Sequence, residues 1–202
     1  MSEVKNVVSN IYQTDILCKK YFNKHGWSVL SLFEDITFML LETNRLIIEC
    51  FKSSDISDWA KIESDVNVRR FVDGKVLSFK EAKKYVEMNI QHYQRIGYGR
   101  YAVRLKETGN LIGMCGFLKE NYGIDFGYRY SKISWGKGFG FEAAKVVLNY
   151  GFSELGLEKL VGLTAEENSG SIRILEKLGF KLQEKFLFNK KKALKYQYTK
   201  DS

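Results

Sequence analysis

A run of alternating glycines, Trp135-Gly136-Lys137-Gly138-Phe139-Gly140, set between a strand pattern and a helix pattern, constrains this chain more than any other feature. Upstream, Ile124, Phe126, Tyr128 and Tyr130 alternate with Asp125, Gly127 and Arg129, the period of two that a strand requires. Downstream, Ala144, Val147, Leu148, Gly151, Phe152 and Leu155 fall on one helical face, and Gly156 stands where glycine commonly closes a helix. Lys159 to Thr164 then reads as a second strand. The segment is a β-α-β unit, so its two strands should be parallel. Glycines at 136, 138 and 140 permit positive φ and close approach, letting successive N–H groups converge on one anion. The helix start adds free donors and the positive end of its dipole. The spacing matches neither a P-loop nor a dinucleotide fingerprint, so taken alone it leaves a flexible pre-helical loop as the alternative to a phosphate site.

Two further stretches narrow the choice. Gly127-Tyr128 precedes the turn, and Asn168-Ser169-Gly170-Ser171 with Leu175-Glu176-Lys177-Leu178-Gly179-Phe180 follows it. Together with Trp-Gly-Lys-Gly-Phe-Gly-Phe-Glu-Ala, this wording closely resembles the GNAT superfamily of acyl-CoA-dependent N-acetyltransferases, over about Glu42 to Phe188. It is most similar to the RimJ/RimL branch, the ribosomal-protein N-terminal acetyltransferases and their relatives. Trp135 stands where the superfamily usually has Arg or Gln and where that branch commonly has Trp. Gly140 replaces a usual Ala.

The resemblance implies an α/β (α+β) GNAT fold, with a mixed, mostly antiparallel sheet flanked by helices and splayed at the acetyl-CoA site. It implies acetyl transfer from acetyl-CoA to a primary amine by direct attack, with no metal. Tyr128, Tyr130, Trp135, Gly136, Lys137, Gly138, Phe139 and Gly140 are implied as cofactor-binding, with Asn168 on the pantetheine arm and Arg173 toward the 3′-phosphate. An oxyanion donor is implied among the backbone N–H groups of Gly127 to Tyr130. Many members use a Tyr as the acid that meets the leaving thiolate, but here Leu175 occupies that place. Ser171 is the donor implied by the branch, while Asn168 and Ser171 read equally as a helix cap. For the proton acceptor Asp125 comes first, with Glu166 and Glu167 as alternatives.

Composition bounds the remaining possibilities. The 202 residues suit one domain with ample core, and 45% hydrophobic and 14% aromatic residues indicate a globular chain. No run approaches a bilayer-spanning length and no secretory leader pattern opens the chain, so a cytoplasmic protein without a membrane partner is expected. Three cysteines, Cys18, Cys50 and Cys115, lack metal-ligand spacing. Cys115 reads as a small buried side chain rather than an acyl-accepting nucleophile, because no histidine is near in sequence. The net charge of +8 describes a field that attracts anions generally. Its sharpest cluster, Lys190-Lys191-Lys192, reads as a solvated hairpin tip rather than a nucleic-acid contact.

In chain order, residues 1–41 read as a helical extension packed on the domain, or as a lid or homodimer contact, and residues 42–202 as the GNAT domain. Val4, Val7, Val8 and Ile11 have helical spacing, Gly26 ends that helix, and an apolar segment from Val29 to Leu41 follows. Arg45 to Phe51 reads as a strand. Asp55 is a candidate N-cap of a short helix through Trp59 and Ile62. Ser78-Phe79-Lys80-Glu81 is a capping box for a helix that runs to Gly97, with Ala82, Tyr85, Val86 and Ile90 inward. These helices should border the amine acceptor, near Arg70, Phe71, Tyr85 and Tyr93. Tyr101 to Leu105 and Leu111 to Leu118 read as a hairpin, as do Phe180 to Phe188 and Ala193 to Tyr198. The acceptor itself is expected to be a protein N-terminus, with an antibiotic or polyamine as the small-amine alternative and a silent CoA-binding or ribosome-associated module as the alternative of another class.

Overall fold

The computed structural model describes residues 39–188 and 191–200, and the backbone alone of two short strands, β1 (Phe22–Asn23) and β2 (Gly26–Trp27), which pair antiparallel. Phe22 and Asn23, read as part of the helix that Gly26 ends, are extended in β1; the rest of the helical reading of residues 1–41 lies outside the described residues, except at its end. There Leu40 and Leu41 are not helical: they belong to β3 (Leu40–Glu42), which pairs with β4 (Leu46–Glu49). A short apolar run cannot distinguish a strand from a helix turn, and here the backbone ladder decides.

The main sheet has eight strands in the order β3-β4-β5-β6-β7-β8-β10-β9. Its further members are β5 (Arg100–Leu105), β6 (Leu111–Glu120), β7 (Gly123–Tyr130), β8 (Lys159–Ala165), β9 (Lys181–Phe188) and β10 (Lys191–Thr199). All neighbours run antiparallel except β7 and β8, the pair joined by the glycine turn and its helix. The expected mixed, mostly antiparallel sheet is observed.

Helices cover both faces. The first face carries α1 (Ile56–Glu63), α2 (Val66–Arg69) and α3 (Phe79–Ile96), and the second carries α4 (Phe139–Ser153) and α5 (Ser169–Lys177). The core is accordingly double. Trp59, Ile62, Val68, Ala82 and Val86 pack on Ala102 and Met114, while Ala144, Val147, Leu148 and Leu175 pack on Tyr101, Phe117, Phe126 and Leu160. Strand alternation sorts each side chain to one layer: Tyr101 and Val103 to the second face, Ala102 to the first.

The capping box of α3 is formed. Ser78 Oγ accepts from the Glu81 N–H, Glu81 Oε2 accepts from the Ser78 N–H at 2.7 Å, and Gly97 ends the helix in the left-handed region at φ 85°. Asp55 departs from expectation. Its carboxylate does not cap α1 but accepts from the Lys52 N–H at 2.9 Å, closing the turn Ser53–Asp55, and its other oxygen pairs with Arg104. A buried guanidinium competes for the same oxygens, and the buried pair prevails over a local cap.

Candidate active site

The β7–β8 junction forms the site. The parallel register is Asp125 opposite Val161, and among the described residues no ladder pair follows it toward Tyr130 or Ala165. From that point the two strands splay into a wedge that opens toward the glycine turn on one side and the start of α5 on the other. Backbone groups of β7 facing the wedge are thereby left without strand partners, as an oxyanion donor or a hydrogen-bonding extended ligand requires.

The turn has the predicted geometry at two glycines. Gly136 and Gly138 adopt φ 75° and 82°, where a Cβ is strained, and Gly138 is the N-cap of α4 without any side-chain cap. The first amides of α4 are therefore free for an anion. Gly140 serves differently. It is not in the left-handed region, and a Cβ there would lie 2.9 Å from Ile174 Cδ1 and 3.3 Å from the Tyr130 ring, so this glycine lets α4 approach α5 and β7. Lys137 and Arg173 are exposed, and Trp135 sends its indole N–H to the Tyr130 carbonyl at 2.9 Å, tying the turn to the strand.

Arg45 braces this turn from across the sheet. Its guanidinium donates to Glu142 Oε2 at 2.8 Å through Nε and to the Lys137 carbonyl at 3.1 Å, and lies 4.5 Å from the Phe139 ring centre. Thr43 Oγ1 donates to Glu142 Oε1 at 2.6 Å. Glu142 is thus the anchor of the first turn of α4. Burial raises its pKa, but hydrogen bonds from Thr43 and Arg45 outweigh that and hold the carboxyl below its usual range.

On the far side of the wedge, Asn168 Oδ1 accepts from the Ser171 N–H at 3.1 Å and caps α5. Ser171 Oγ lies 3.1 Å from Tyr128 Oη, and the Tyr128 hydroxyl also donates to the Ser171 carbonyl at 2.9 Å. Two hydroxyls from opposite walls therefore meet. Burial pushes the Tyr128 phenol well above its usual range, so it stays protonated. On the same face Tyr130 Oη and Thr164 Oγ1 are buried without a hydrogen-bond partner among the described residues. Orphaned hydroxyls, a splayed strand pair and an uncapped helix start fit a ligand with an extended amide arm and a phosphate end.

Asp125 is placed apart from this pair. It projects from the opposite face of β7, toward α1 to α3, and its Oδ2 is ion-paired with the buried Arg100. Arg100 also donates to the Gly116 carbonyl at 2.5 Å, and its guanidinium would lie 2.7 Å from a Cβ at Gly127. Gly127 therefore makes room for a buried cation beside the wedge. Two residues on, Arg129 donates to Glu63 Oε2 at 2.6 Å, and Arg69 meets the same oxygen at 2.8 Å. Arg100 and Arg45 carried no local sequence signal, since Asp125 and Glu142 lie 25 and 97 positions away, and Glu63 links a near neighbour, Arg69, to Arg129, which is 66 positions away. Charged residues beside apolar runs, Arg100 at the start of β5 and Arg129 near the end of β7, were the one available hint.

An open cleft of about 550 Å³ lies on this first face, walled by Ile62, Asp65, Val68, Ser131, Lys132 and Ile133. Phe71 stands 6.4 Å from Trp135 and carries the Arg70 guanidinium 4.4 Å above its ring. Tyr93 is instead buried in the core, donating to the Arg100 carbonyl, so it does not line a substrate pocket. Cys115 is fully buried and burial pushes its thiol up to about 12, as the non-nucleophilic reading requires. Among the described residues no group of His, Cys, Asp and Glu is arranged to hold a metal, and no helix is long and apolar enough to cross a membrane.

A splayed parallel pair, a glycine turn at a helix start and a hydroxyl across the wedge come together at this junction. The chain belongs to the GNAT acetyltransferases: that family's domain model, described as acetyltransferase (GNAT) domain, matches residues 45–181. It is an acetyl-CoA-dependent N-acyltransferase. Among curated relatives, an uncharacterized N-acetyltransferase p20 of Bacillus licheniformis is 29% identical over 144 residues, covering 69% of this chain and 81% of that protein. Among solved structures, a GNAT-family acetyltransferase from Bacillus anthracis superposes with a TM-score of 0.72 at 23% identity, covering 81% of this chain and 100% of that one. The ribosomal-protein-S5-alanine acetyltransferase of Vibrio fischeri gives 0.71 at 16% identity over 81% and 98%.

Proposed function

We propose that this enzyme acetylates a primary amine that approaches from the α1–α3 face, and that a protein N-terminal α-amine of the RimJ/RimL-type class is its leading acceptor. The observation that carries the direction of approach is the division of β7. Tyr128 and Ser171 lie on one face with the glycine turn, while Asp125, Gly127 and the open cleft lie on the other. The thioester would run along the first side with its carbonyl at the wedge, held by β7 backbone N–H groups. Gly136, Gly138 and the start of α4 would hold the pyrophosphate, with Trp135, Lys137, Phe139, Asn168 and Arg173 along the rest of the coenzyme.

The neutral amine attacks the carbonyl carbon, the oxygen takes the charge, and collapse expels the CoA thiolate. Ser171 donates a hydrogen bond to that sulfur, and Asp125, through the oxygen not bonded to Arg100, takes the proton lost by the amine. An exposed cleft walled by Ile62, Val68, Ser131 and Lys132 suits an extended peptide better than a compact polycation, which places the small-amine acceptor second. A cytoplasmic site of action accords with the use of acetyl-CoA.

The test is calorimetric titration with acetyl-CoA, desulfo-CoA and ATP, followed by a screen of N-terminal peptides and polyamines for free-thiol release. Gly138→Glu, which strains the left-handed N-cap and blocks the turn, should abolish binding of both CoA compounds and leave the fold intact. Turnover with polyamines and none with peptides would overturn the acceptor; binding that survives Gly138→Glu would overturn the phosphate site.

A further inference from the structure

Beyond the packing of its ring, Tyr128 carries a hydroxyl that ties β7 to the first turn of α5 through the Ser171 carbonyl. The ring packs between Phe126 and Tyr130, at 6.0 and 6.4 Å between centres, and the start of α5 is already capped by Asn168. What the hydroxyl does is reach across the wedge to Ser171. Each hydroxyl owns one proton. The Ser171 carbonyl can only accept, so the 2.9 Å contact uses the phenol's proton, and the 3.1 Å contact then uses the proton of Ser171, directed at Tyr128 Oη. The serine rotamer is thereby set by the tyrosine.

We infer that Tyr128 is a positioning residue for Ser171, holding its hydroxyl at the wedge and re-aiming with it when the thiolate departs. The inference rests on the role proposed above for Ser171. As the Ser171 O–H turns toward the sulfur, the Tyr128 O–H turns from the Ser171 carbonyl to Ser171 Oγ. Both protons stay on their own oxygens, and no alkoxide or phenolate forms, in keeping with a phenol whose burial disfavours ionisation. The seryl oxygen accepts one hydrogen bond while donating another, which strengthens the one it donates. Tyr128 thus supplies the support that a leaving-group acid at position 175 would not need, and Leu175, buried in the core, leaves that task to it.

The experiment reads the sulfur without needing an acceptor. Affinities for CoA and desulfo-CoA are measured by calorimetry from pH 6 to 9 for the wild type, Tyr128→Phe, Ser171→Ala and the double variant. A donor that favours the thiolate lowers the bound thiol's pKa, so CoA should gain on desulfo-CoA as pH rises, by about tenfold in the wild type. Ser171→Ala should abolish that gain. Tyr128→Phe, which keeps the ring packing, should reduce it about two- to fivefold, and the double variant should match Ser171→Ala alone. A Tyr128→Phe curve superimposable on the wild type, with Ser171→Ala flat, would overturn the positioning role and leave Ser171 standing. A gain that persists in Ser171→Ala would overturn the role of Ser171 and this inference with it. A double variant worse than Ser171→Ala would show that Tyr128 meets the sulfur on its own account.

Discussion

The two faces of β7 are built by different means. The Tyr128 face is made of backbone and neutral hydroxyls: free amides at the start of α4, left-handed glycines, and Ser171 against Tyr128. The Asp125 face is made of buried charge: Arg100 on Asp125, and Arg129 with Arg69 on Glu63. A neutral, backbone-lined wall suits a cofactor common to a whole family, because every chain can supply N–H groups. Buried ion pairs hold α1 and α2 in one register on the sheet and shape a face that can differ from one acceptor to the next. The lesson is that one strand can present backbone and neutral hydroxyls on one face and buried ion pairs on the other.

If that contrast is right, the two faces should fail differently. The largest effect should come from Glu63→Ala, which leaves two guanidinium groups buried around an empty place. It should lower stability by about 3–5 kcal/mol in urea unfolding, whereas Ser171→Ala should leave the midpoint almost unchanged. Equal midpoints for the two would break the comparison. Next is Asp125→Asn, expected to cut turnover by about 100-fold and most at low pH, where amine deprotonation limits the rate. A pH–rate profile that overlays the wild type would remove Asp125 as the base and leave it as the counter-ion of Arg100.

The smallest effect should be at the Arg45–Glu142 pair that braces the glycine turn. Its side chains are 48% and 20% exposed, so Glu142→Gln should weaken acetyl-CoA binding by only about 0.5–1 kcal/mol at neutral pH. The carboxyl is held below its usual range, so its contribution is present above the ordinary glutamate value of about 4.3 and is lost as pH falls through the lowered folded value. Titrations carried from pH 7 to well below about pH 4 should therefore hold a steady gap between the wild type and Glu142→Gln until the ordinary glutamate value is passed, and bring the two together only beneath it. A constant gap across that range would assign the effect to shape rather than charge.

The division also explains what could be read without coordinates. The β-α-β unit, the capping box at Ser78, the Asn168 cap and the turn glycines are encoded within a few residues of one another, and periodicity or spacing shows them. Cys115 as an inert core residue was legible for the same reason: no base stood near it. Asp55 does stand at the N-cap position of α1, but its carboxylate is drawn to Arg104, 49 positions away, and makes no cap hydrogen bond there. Tyr93 was misassigned to the substrate pocket because helical periodicity tells which residues face inward but not whether they reach a cleft. Leu40 and Leu41 were taken for the end of a helical extension, since a short apolar run lacks a period of its own.

The sequence by itself therefore determined an alternating strand, a glycine turn and a capped helix, local arrangements whose physics is complete within one segment, and the resemblance of their wording to the GNAT superfamily supplied the class. Only the tertiary structure decided that Tyr128 meets Ser171 across the wedge, that Asp125 stands on the opposite face bound to Arg100, and that Arg45 anchors Glu142. Those contacts join strands and helices distant in the chain. A hydrogen bond or ion pair between them depends on which face each side chain takes and on where the sheet splays, and neither is written in any single stretch.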